Sequence, residues 1–419
     1  MFDILPTRRF GPLFVTQFLG AFNDNLYKTA MLFLITYGLL KDHPEDAAVM
    51  VTLAGGVFIL PFLLFSSLAG EIADSIDKAR VIRVVKLVEI AIMIVGAWAL
   101  THDSILILML VLFAMGVHST FFGPVKYAIL PQHLRAQELL AGTGLVEAGT
   151  YIAILAGQIA GGILGIHAAW AVVAVAVVGW FTGRQVPSAP PTKALRLNRN
   201  ILASSWTVMR HTAEDRRLLL TVLAISWFWA MGAVLTTQFV PLVKDRLQAS
   251  EEVATLFLTI FSIGIAAGSV AVNRLLKGAV SARYSLAASL AVSLFVAYLV
   301  AAVHLYEVVP GPIGVRQFLA QDGAGNVLVA LFGLAVSSGI FVVPLYAILQ
   351  TECDPSERAR TIAANNIANS AFMVMASLVA AGMIGMGLRV LDVILGIGIA
   401  NLLIVPAAFR LKADRPATA

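Results

Sequence analysis

Two ionisable side chains of opposite charge stand one helical turn apart in an apolar segment near the start of the chain. Asp24 and Lys28 share one face of a helix, and Asn25 lies beside them. A charged side chain at the bilayer centre costs at least about 2.5 kcal/mol, so such residues mark functional cavities. We expect these three residues to line a ligand-binding cavity. The alternative is an ion pair that only allows the helix to insert.

A second pair of opposite charges occupies the fourth and fifth apolar segments. Lys126 follows Gly123 and Pro124, and Glu147 lies in the next segment. Consecutive helices of a bundle are neighbours, so the sequence predicts a contact between Lys126 and Glu147. Whether the two side chains pair or bind a ligand separately stays open.

Neutral amides take the place of these charges in the second half of the chain. We predict ligand contacts for Gln238, Asn365 and Asn369, with hydrogen bonding between helices as the alternative. One charged half and one mostly apolar half suit an amphipathic ligand with an ionic head and a hydrocarbon tail. Lys86 and Glu89, three residues apart, are interpreted as a structural pair.

The composition excludes an ordinary soluble protein. Hydrophobic residues make up 59% of the 419 residues and charged residues only 13%. Stretches of roughly 20 apolar residues, long enough to span a bilayer, recur along the chain. They predict twelve helices, at 11–40, 49–72, 80–100, 104–130, 137–163, 167–183, 217–244, 251–276, 283–304, 326–350, 359–386 and 388–410.

Basic residues fix the topology. With the N-terminus inside, the inner loops carry 21 of the 29 Lys and Arg, the outer loops five, and three lie within helices. This imbalance predicts a multi-pass inner-membrane protein with both termini in the cytoplasm. It also accounts for the net charge of +5 without a nucleic-acid partner.

The halves of the chain resemble each other. Residues 113–130 align without gaps on residues 332–349, with eight of eighteen positions identical. In this alignment Leu345 is the equivalent of Lys126. With three residues added in the following loop, Asn369 is the equivalent of Glu147. A polar, basic connection separates the halves and predicts a six-helix bundle at 1–183, a solvated cytoplasmic linker at 184–216 and a second six-helix bundle at 217–419.

The loop after the second helix carries Gly70, Asp74, Lys78 and Arg80. It resembles the G-x-x-x-D-x-x-x-R/K signature of the major facilitator superfamily. The resemblance implies an all-α membrane fold of two pseudo-symmetric six-helix bundles. It also implies that these four residues form a conformational latch on the inner face.

Further motifs narrow the resemblance to bacterial lysophospholipid transporters. They are the segments 17–25, 69–74, 123–130, 145–148 and 341–350. The resemblance implies movement of lysophosphatidylethanolamine and lysophosphatidylglycerol between leaflets by alternating access, for reacylation by an acyltransferase-synthetase. It assigns Asp24, Lys126 and Glu147 to charged family positions. Relatives carry an arginine in helix seven, where this chain has residues 234–238, so that headgroup contact is not carried over.

Other chemistries find no support in the sequence. The single cysteine excludes an intrachain disulfide, and no zinc, Walker or nucleophile-elbow motif is present. We therefore expect no enzyme activity, metal or cofactor. The alternatives to a lipid flippase are a proton-coupled transporter of small amphipathic molecules, and a scaffold that recruits an acyltransferase without transporting lipid.

Overall fold

In the part of the chain that the structure describes, the secondary structure is almost entirely helical. The structure is a computed structural model and describes residues 1–102, 104–193, 201–309 and 311–412. Within those residues the only β contact is an isolated bridge between Ala249 and Ile313. Helices satisfy their backbone hydrogen bonds internally, as a bilayer requires. The predicted all-α class is confirmed.

The described residues of the first half form six long helices. They are α1 Gly11–Leu34, α2 Pro44–Ser75, α3 Lys78–Thr101, α4 Ile105–His133, α5 Ala136–Leu164 and α6 Ala168–Gly183. Proline in the first turn begins α1 and α2, where its missing N–H leaves no helical bond unmade. α1 runs on into a π-helical turn, Ile35–Leu39.

The second half of the described chain repeats this pattern. Its long helices are α7 Arg216–Pro241, α8 Glu251–Leu275, α9 Ser285–Leu305, α10 Ala324–Thr351, α11 Arg358–Gly385 and α12 Val390–Lys412. A π-helical turn, Leu242–Arg246, extends α7, and a 3-10 segment, Asn401–Ile404, interrupts α12.

Hydropathy marks most of these helices as membrane spans. Ten helical stretches of the described chain are long and apolar enough to cross a bilayer, and one of them, Ala136–Gly183, contains both α5 and α6. α1 is not among the ten, because its polar residues lower its mean hydropathy. The twelve helices agree with the twelve predicted segments.

The outer surface suits lipid rather than water. Trp170 on α6, Leu305 on α9 and Leu403 on α12 are each more than 80% exposed. Soluble monomers rarely expose large contiguous apolar patches. The protein is therefore a multi-pass membrane protein.

The chain forms two compact units. The first comprises Met1–Asp215 and Leu349–Ser370, and the second comprises Arg216–Ile348 and Ala371–Ala419. The first unit thus includes the end of α10 and the start of α11 besides α1 to α6. The sequence division into 1–183, 184–216 and 217–419 stays a prediction.

Close helix packing builds the first unit. α1 packs along α5 and α6, and α2 packs along α4. A Cβ added at Gly157 of α5 would lie 2.3 Å from the Phe22 carbonyl oxygen on α1, so glycine is needed for this approach. Gly157 belongs to a stripe of small residues, which allow helix backbones to approach closely.

One element of the first unit corrects the sequence analysis. The predicted linker is not simply a solvated connection, since it forms a helix at Ile201–Glu214, hereafter the linker helix. Ser204, Val208 and Thr212 recur every fourth residue and are buried. The Ser204 hydroxyl donates a hydrogen bond to Glu71 of α2. Residues 194–200 of the predicted linker lie outside the described residues.

Neutral hydrogen bonds connect the helices of the second unit. The Trp227 indole donates to Asn401 Oδ1 at 2.8 Å, and Asn401 Nδ2 donates to the Ser289 carbonyl at 2.8 Å. Trp229 Nε1 donates to the Tyr346 hydroxyl at 2.8 Å. Asn401 begins the 3-10 segment of α12, so its side-chain bonds secure α12 where the α-helix is interrupted.

Candidate functional site

Asp24 is bound to the neighbouring helix α4 rather than to Lys28. Its Oδ2 accepts a hydrogen bond from the Ser119 hydroxyl at 2.5 Å. The side chain is half-buried on α1. A carboxylate has about four lone-pair sites, so Asp24 retains capacity for a further donor.

Lys28 and Asn25 take different directions from Asp24. Lys28 Nζ lies 5.6 Å from the centre of the Phe58 ring of α2, in the range of a cation–π contact. Within the described residues no carboxylate lies within 4 Å of this ammonium group. Asn25 is buried and donates to the Ala21 carbonyl at 2.9 Å, within its own helix. The three predicted residues thus do not form one polar cluster.

Glu147 of α5 is fully buried and held by a residue that the sequence analysis did not single out. The Tyr127 hydroxyl donates a hydrogen bond to Glu147 Oε1, and Oε2 has no hydrogen-bond partner. Lys126 Nζ lies 4.9 Å from the Tyr127 ring centre. No Lys126–Glu147 ion pair within 4 Å occurs in the described structure. Tyr127, rather than Lys126, makes the contact between α4 and α5.

A buried charged cluster includes Asn23 and His118, the chain neighbours of Asp24 and Ser119. Lys86 Nζ and Glu89 Oε2 are 2.6 Å apart, which confirms that these residues satisfy each other. The cluster also contains His118 of α4, whose Nε2 lies 3.3 Å from Glu89 Oε2, and Asn23 of α1, whose Nδ2 donates to Glu89 Oε1 at 3.1 Å. The Lys86–Glu89 pair therefore takes part in contacts among α1, α3 and α4. The spacing of the two residues in the sequence predicted only a contact within α3.

The predicted amide contacts lie in different units. Asn365 and Asn369 of α11 belong to the first unit, and Gln238 of α7 belongs to the second. Asn365 is fully buried, and neither its oxygen nor its nitrogen makes a hydrogen bond. Asn369 is also buried, whereas Gln238 is half-buried.

Two residues of the predicted latch, Gly70 and Asp74, contact the start of α11 within the first unit. Asp74 accepts hydrogen bonds from the backbone N–H groups of Ala359 and Arg360, both at 3.0 Å. These are orphan donors at a helix N-terminus, where negative charge is favourable. A Cβ at Gly70 would lie 2.7 Å from the Ala363 Cβ, so only glycine permits this approach.

The basic latch residues have other surroundings. Lys78 is buried, whereas Arg80 is exposed and donates its backbone N–H to Asp77 Oδ1 at 3.3 Å. Partial burial opposes ionisation of Asp77, but hydrogen bonds from Ser188 and from the backbone N–H groups of Ala189, Ala79 and Arg80 together hold its pKa below the usual value. Asp77 thus connects the start of α3 to the segment after α6.

Cys353 lies in the turn between α10 and α11. It is buried, and burial raises the pKa of its thiol to about 11. The Arg358 guanidinium, whose Nε donates to the Gln350 carbonyl at 2.7 Å, favours the thiolate but does not offset burial.

Family comparison agrees with the helical architecture. The family model of the major facilitator superfamily matches residues 13–377. The chain belongs to this superfamily of transporters. The family resemblance inferred from the loop motif is confirmed.

Curated relatives of the chain are lysophospholipid transporters. The chain is 29% identical over 382 residues to the lysophospholipid transporter LplT of Serratia proteamaculans, covering 86% of this chain and 85% of the relative. It is 28% identical over 379 residues to LplT of Cronobacter sakazakii, with 87% and 86% covered.

Solved structures agree in fold. The fucose transporter FucP in its outward conformation gives a TM-score of 0.73 at 10% identity, covering 97% of this chain and 99% of FucP. The human organic anion transporter MFSD10 gives a TM-score of 0.72 at 16% identity, with 96% and 100% covered. Because these sequence identities are low, the similarity shows a shared fold alone.

Proposed function

We propose that this protein is a lysophospholipid flippase of the bacterial inner membrane. It moves lipids such as lysophosphatidylethanolamine and lysophosphatidylglycerol from the outer to the inner leaflet by alternating access, without ATP or an obligatory ion gradient. The relatives support the substrate class. The observation that carries the proposal is the presence of half-buried charges, Asp24, Lys28 and Lys126, among apolar helices of the first unit.

The chemistry of these side chains matches a lysophospholipid headgroup. A phosphate group is a strong acceptor, and the ammonium groups of Lys28 and Lys126 are mobile point-charge donors suited to it. The ammonium group of an ethanolamine head is a donor, for which the Asp24 carboxylate is the complementary acceptor. Neither Lys28 nor Lys126 has an ion-pair partner within 4 Å among the described residues, so each is available to a ligand.

We propose that Glu147 supports this site through Tyr127. Its carboxylate is buried and receives the Tyr127 hydroxyl, and Tyr127 adjoins Lys126 in the chain. We assign Glu147 the role of fixing the Tyr127 ring beneath the Lys126 ammonium group. Asn25, Asn365, Asn369 and Gln238 remain proposed as neutral contributors to the substrate path.

The latch is proposed to regulate the transport cycle. Asp74 receives two backbone hydrogen bonds from the start of α11, and transport requires that these bonds open and re-form. Lys78 and Arg80 contribute positive charge near the same turn. With basic loops inside, both termini are cytoplasmic, and the flipped lipid is delivered to a cytoplasmic acyltransferase-synthetase.

The proposal is tested with purified protein in liposomes. Labelled lysophosphatidylethanolamine is added to the outer leaflet, and the fraction protected from extraction by albumin is followed over time. Measurements are made with and without an imposed proton gradient. Asp24→Asn and Lys126→Gln test the site, and Asp42→Asn, an exposed acid outside the long helices, is the matched control.

We expect movement without a gradient, unchanged in Asp42→Asn. Asp24→Asn and Lys126→Gln each slow it by about tenfold, the loss of roughly 1.4 kcal/mol from one charge-assisted hydrogen bond. Movement that occurs only with the gradient would favour a proton-coupled transporter. The scaffold alternative predicts no movement under any condition.

A further inference from the structure

His118 is a buried histidine whose Nδ1 has no hydrogen-bond partner. It is 5% exposed, and both Nδ1 and Nε2 are shielded from solvent. A neutral imidazole carries one donor and one acceptor, and leaving either unmet in a protein interior is unfavourable. The ring is therefore incompletely satisfied as a neutral group.

The nearest charged group to the ring is a carboxylate. His118 Nε2 lies 3.3 Å from Glu89 Oε2. The same oxygen lies 2.6 Å from Lys86 Nζ, and Glu89 Oε1 accepts from Asn23 at 3.1 Å. A proton on His118 makes both ring nitrogens donors and gives Glu89 a second cationic neighbour. In a low-dielectric interior such a contact is stronger than in water.

The cluster is directly connected to the candidate substrate site. Asn23 precedes Asp24 on α1, and His118 precedes Ser119 on α4, so the Asn23–Glu89–His118 contacts lie one residue behind the Asp24–Ser119 hydrogen bond. The Asp24 carboxylate is within electrostatic range of His118. A charge gained at His118 thus acts on the carboxylate that faces the ligand.

We propose that His118 is a proton-binding site that controls which headgroup the transporter accepts. This inference rests on the proposed lysophospholipid transport. A protonated His118 adds positive charge behind Asp24 and competes with the ammonium group of an ethanolamine head. A glycerol head has no ammonium group and loses nothing. Protonation therefore selects against lysophosphatidylethanolamine relative to lysophosphatidylglycerol.

The charged groups that the structure places beside His118 are on α1 and α3. α1 contributes Asp24, and α3 contributes Lys86 and Glu89. α6 contributes the Val172 carbonyl, which accepts from Asn23 at 3.1 Å. Because these groups remain in a His118 variant, any pH dependence that they cause would persist there.

The test compares both lipids at symmetric pH, without a gradient, between about pH 6 and about pH 8. For the wild type we expect the rate ratio of ethanolamine to glycerol lipid to fall by about fivefold on acidification. In His118→Gln, which keeps a polar neutral side chain, the ratio becomes independent of pH. His133→Gln, on the same helix about 22 Å away at 1.5 Å per residue, keeps the wild-type profile.

A pH-dependent ratio that survives in His118→Gln overturns the proposal. If that variant does not fold, the imidazole resonance of His118 in the wild type decides the question, since absence of titration between about pH 5 and about pH 9 refutes a proton site. If no lysophospholipid moves at any pH, the proposed function fails. In that case the same resonance still shows, independently of transport, whether His118 binds a proton.

Discussion

The interiors of the two units differ in charge although the halves of the chain share sequence. Every Asp, Glu, Lys or Arg that is buried among the described residues lies in the first unit. They are Glu71, Asp74, Lys78, Lys86, Glu89, Glu147 and Arg358. The buried polar side chains described in the second unit are neutral, such as Ser289 and Asn401. The two halves thus share a helical pattern, whereas the buried charges of the described residues lie in one unit.

This difference indicates that the two units have different roles. Buried charge in a membrane is costly and is retained where it binds or moves something. In the proposed function, the charged groups of the first unit bind the ionic head. The second unit, with neutral indole, hydroxyl and amide bonds, offers apolar surface suited to an acyl chain.

The largest expected effect comes from unbalancing the buried cluster. Lys86→Met leaves Glu89 buried without its closest cation, which destabilises the protein by about 3–5 kcal/mol. The double variant Lys86→Met/Glu89→Met removes both charges and regains most of the loss. Apparent melting temperatures of detergent-purified protein measure both. A double variant as unstable as the single one would show that the charges are not balanced against each other.

Introducing charge into the second unit is the reverse experiment. Leu345 is the repeat equivalent of Lys126 and is fully buried. Leu345→Lys therefore costs about 2.5–3.5 kcal/mol and lowers the yield of folded protein. Leu345→Met, which nearly conserves volume, is the control. Size-exclusion profiles of protein extracted from membranes report the yield. A normal profile for Leu345→Lys would contradict the distinction between a charged interior in the first unit and a neutral one in the second.

A smaller effect is expected at the latch. In Gly70→Ala the added methyl group meets Ala363 and the backbone of α11, an overpacking that costs about 1–3 kcal/mol. Because the contact must re-form in each cycle, we expect slower transport with unchanged apparent affinity for substrate. Initial rates over a range of lipid concentrations measure this. Gly55→Ala, with open space around its Cβ position, should behave as wild type.

The smallest effect belongs to the second unit. Trp229→Phe removes the indole donor to Tyr346 and reduces the ring system, and we expect the lost hydrogen bond to account for about 0.5–1.5 kcal/mol. The melting temperature should fall less than in Lys86→Met, and transport should persist. A larger fall than in Lys86→Met would mean that neutral bonds stabilise this protein more than its charged cluster does.

Helix positions could be predicted from sequence because lipid imposes length and hydropathy on every span. The linker helix was missed because its buried positions include Ser204 and Thr212, which do not stand out in an apolar pattern. The partners Ser119 for Asp24 and Tyr127 for Glu147 were missed for another reason. Which side chain crosses to a neighbouring helix depends on helix rotation, and spacing along one helix does not contain that information.

The buried turn between α10 and α11 has a practical consequence. Cys353 is the only thiol in the chain, and its protonated, shielded state makes it unreactive toward alkylating reagents. It becomes reactive only when the turn opens, so its rate of alkylation reports the frequency of local opening next to α11. The rate of Cys353 alkylation is therefore a built-in chemical probe of the segment that Asp74 contacts.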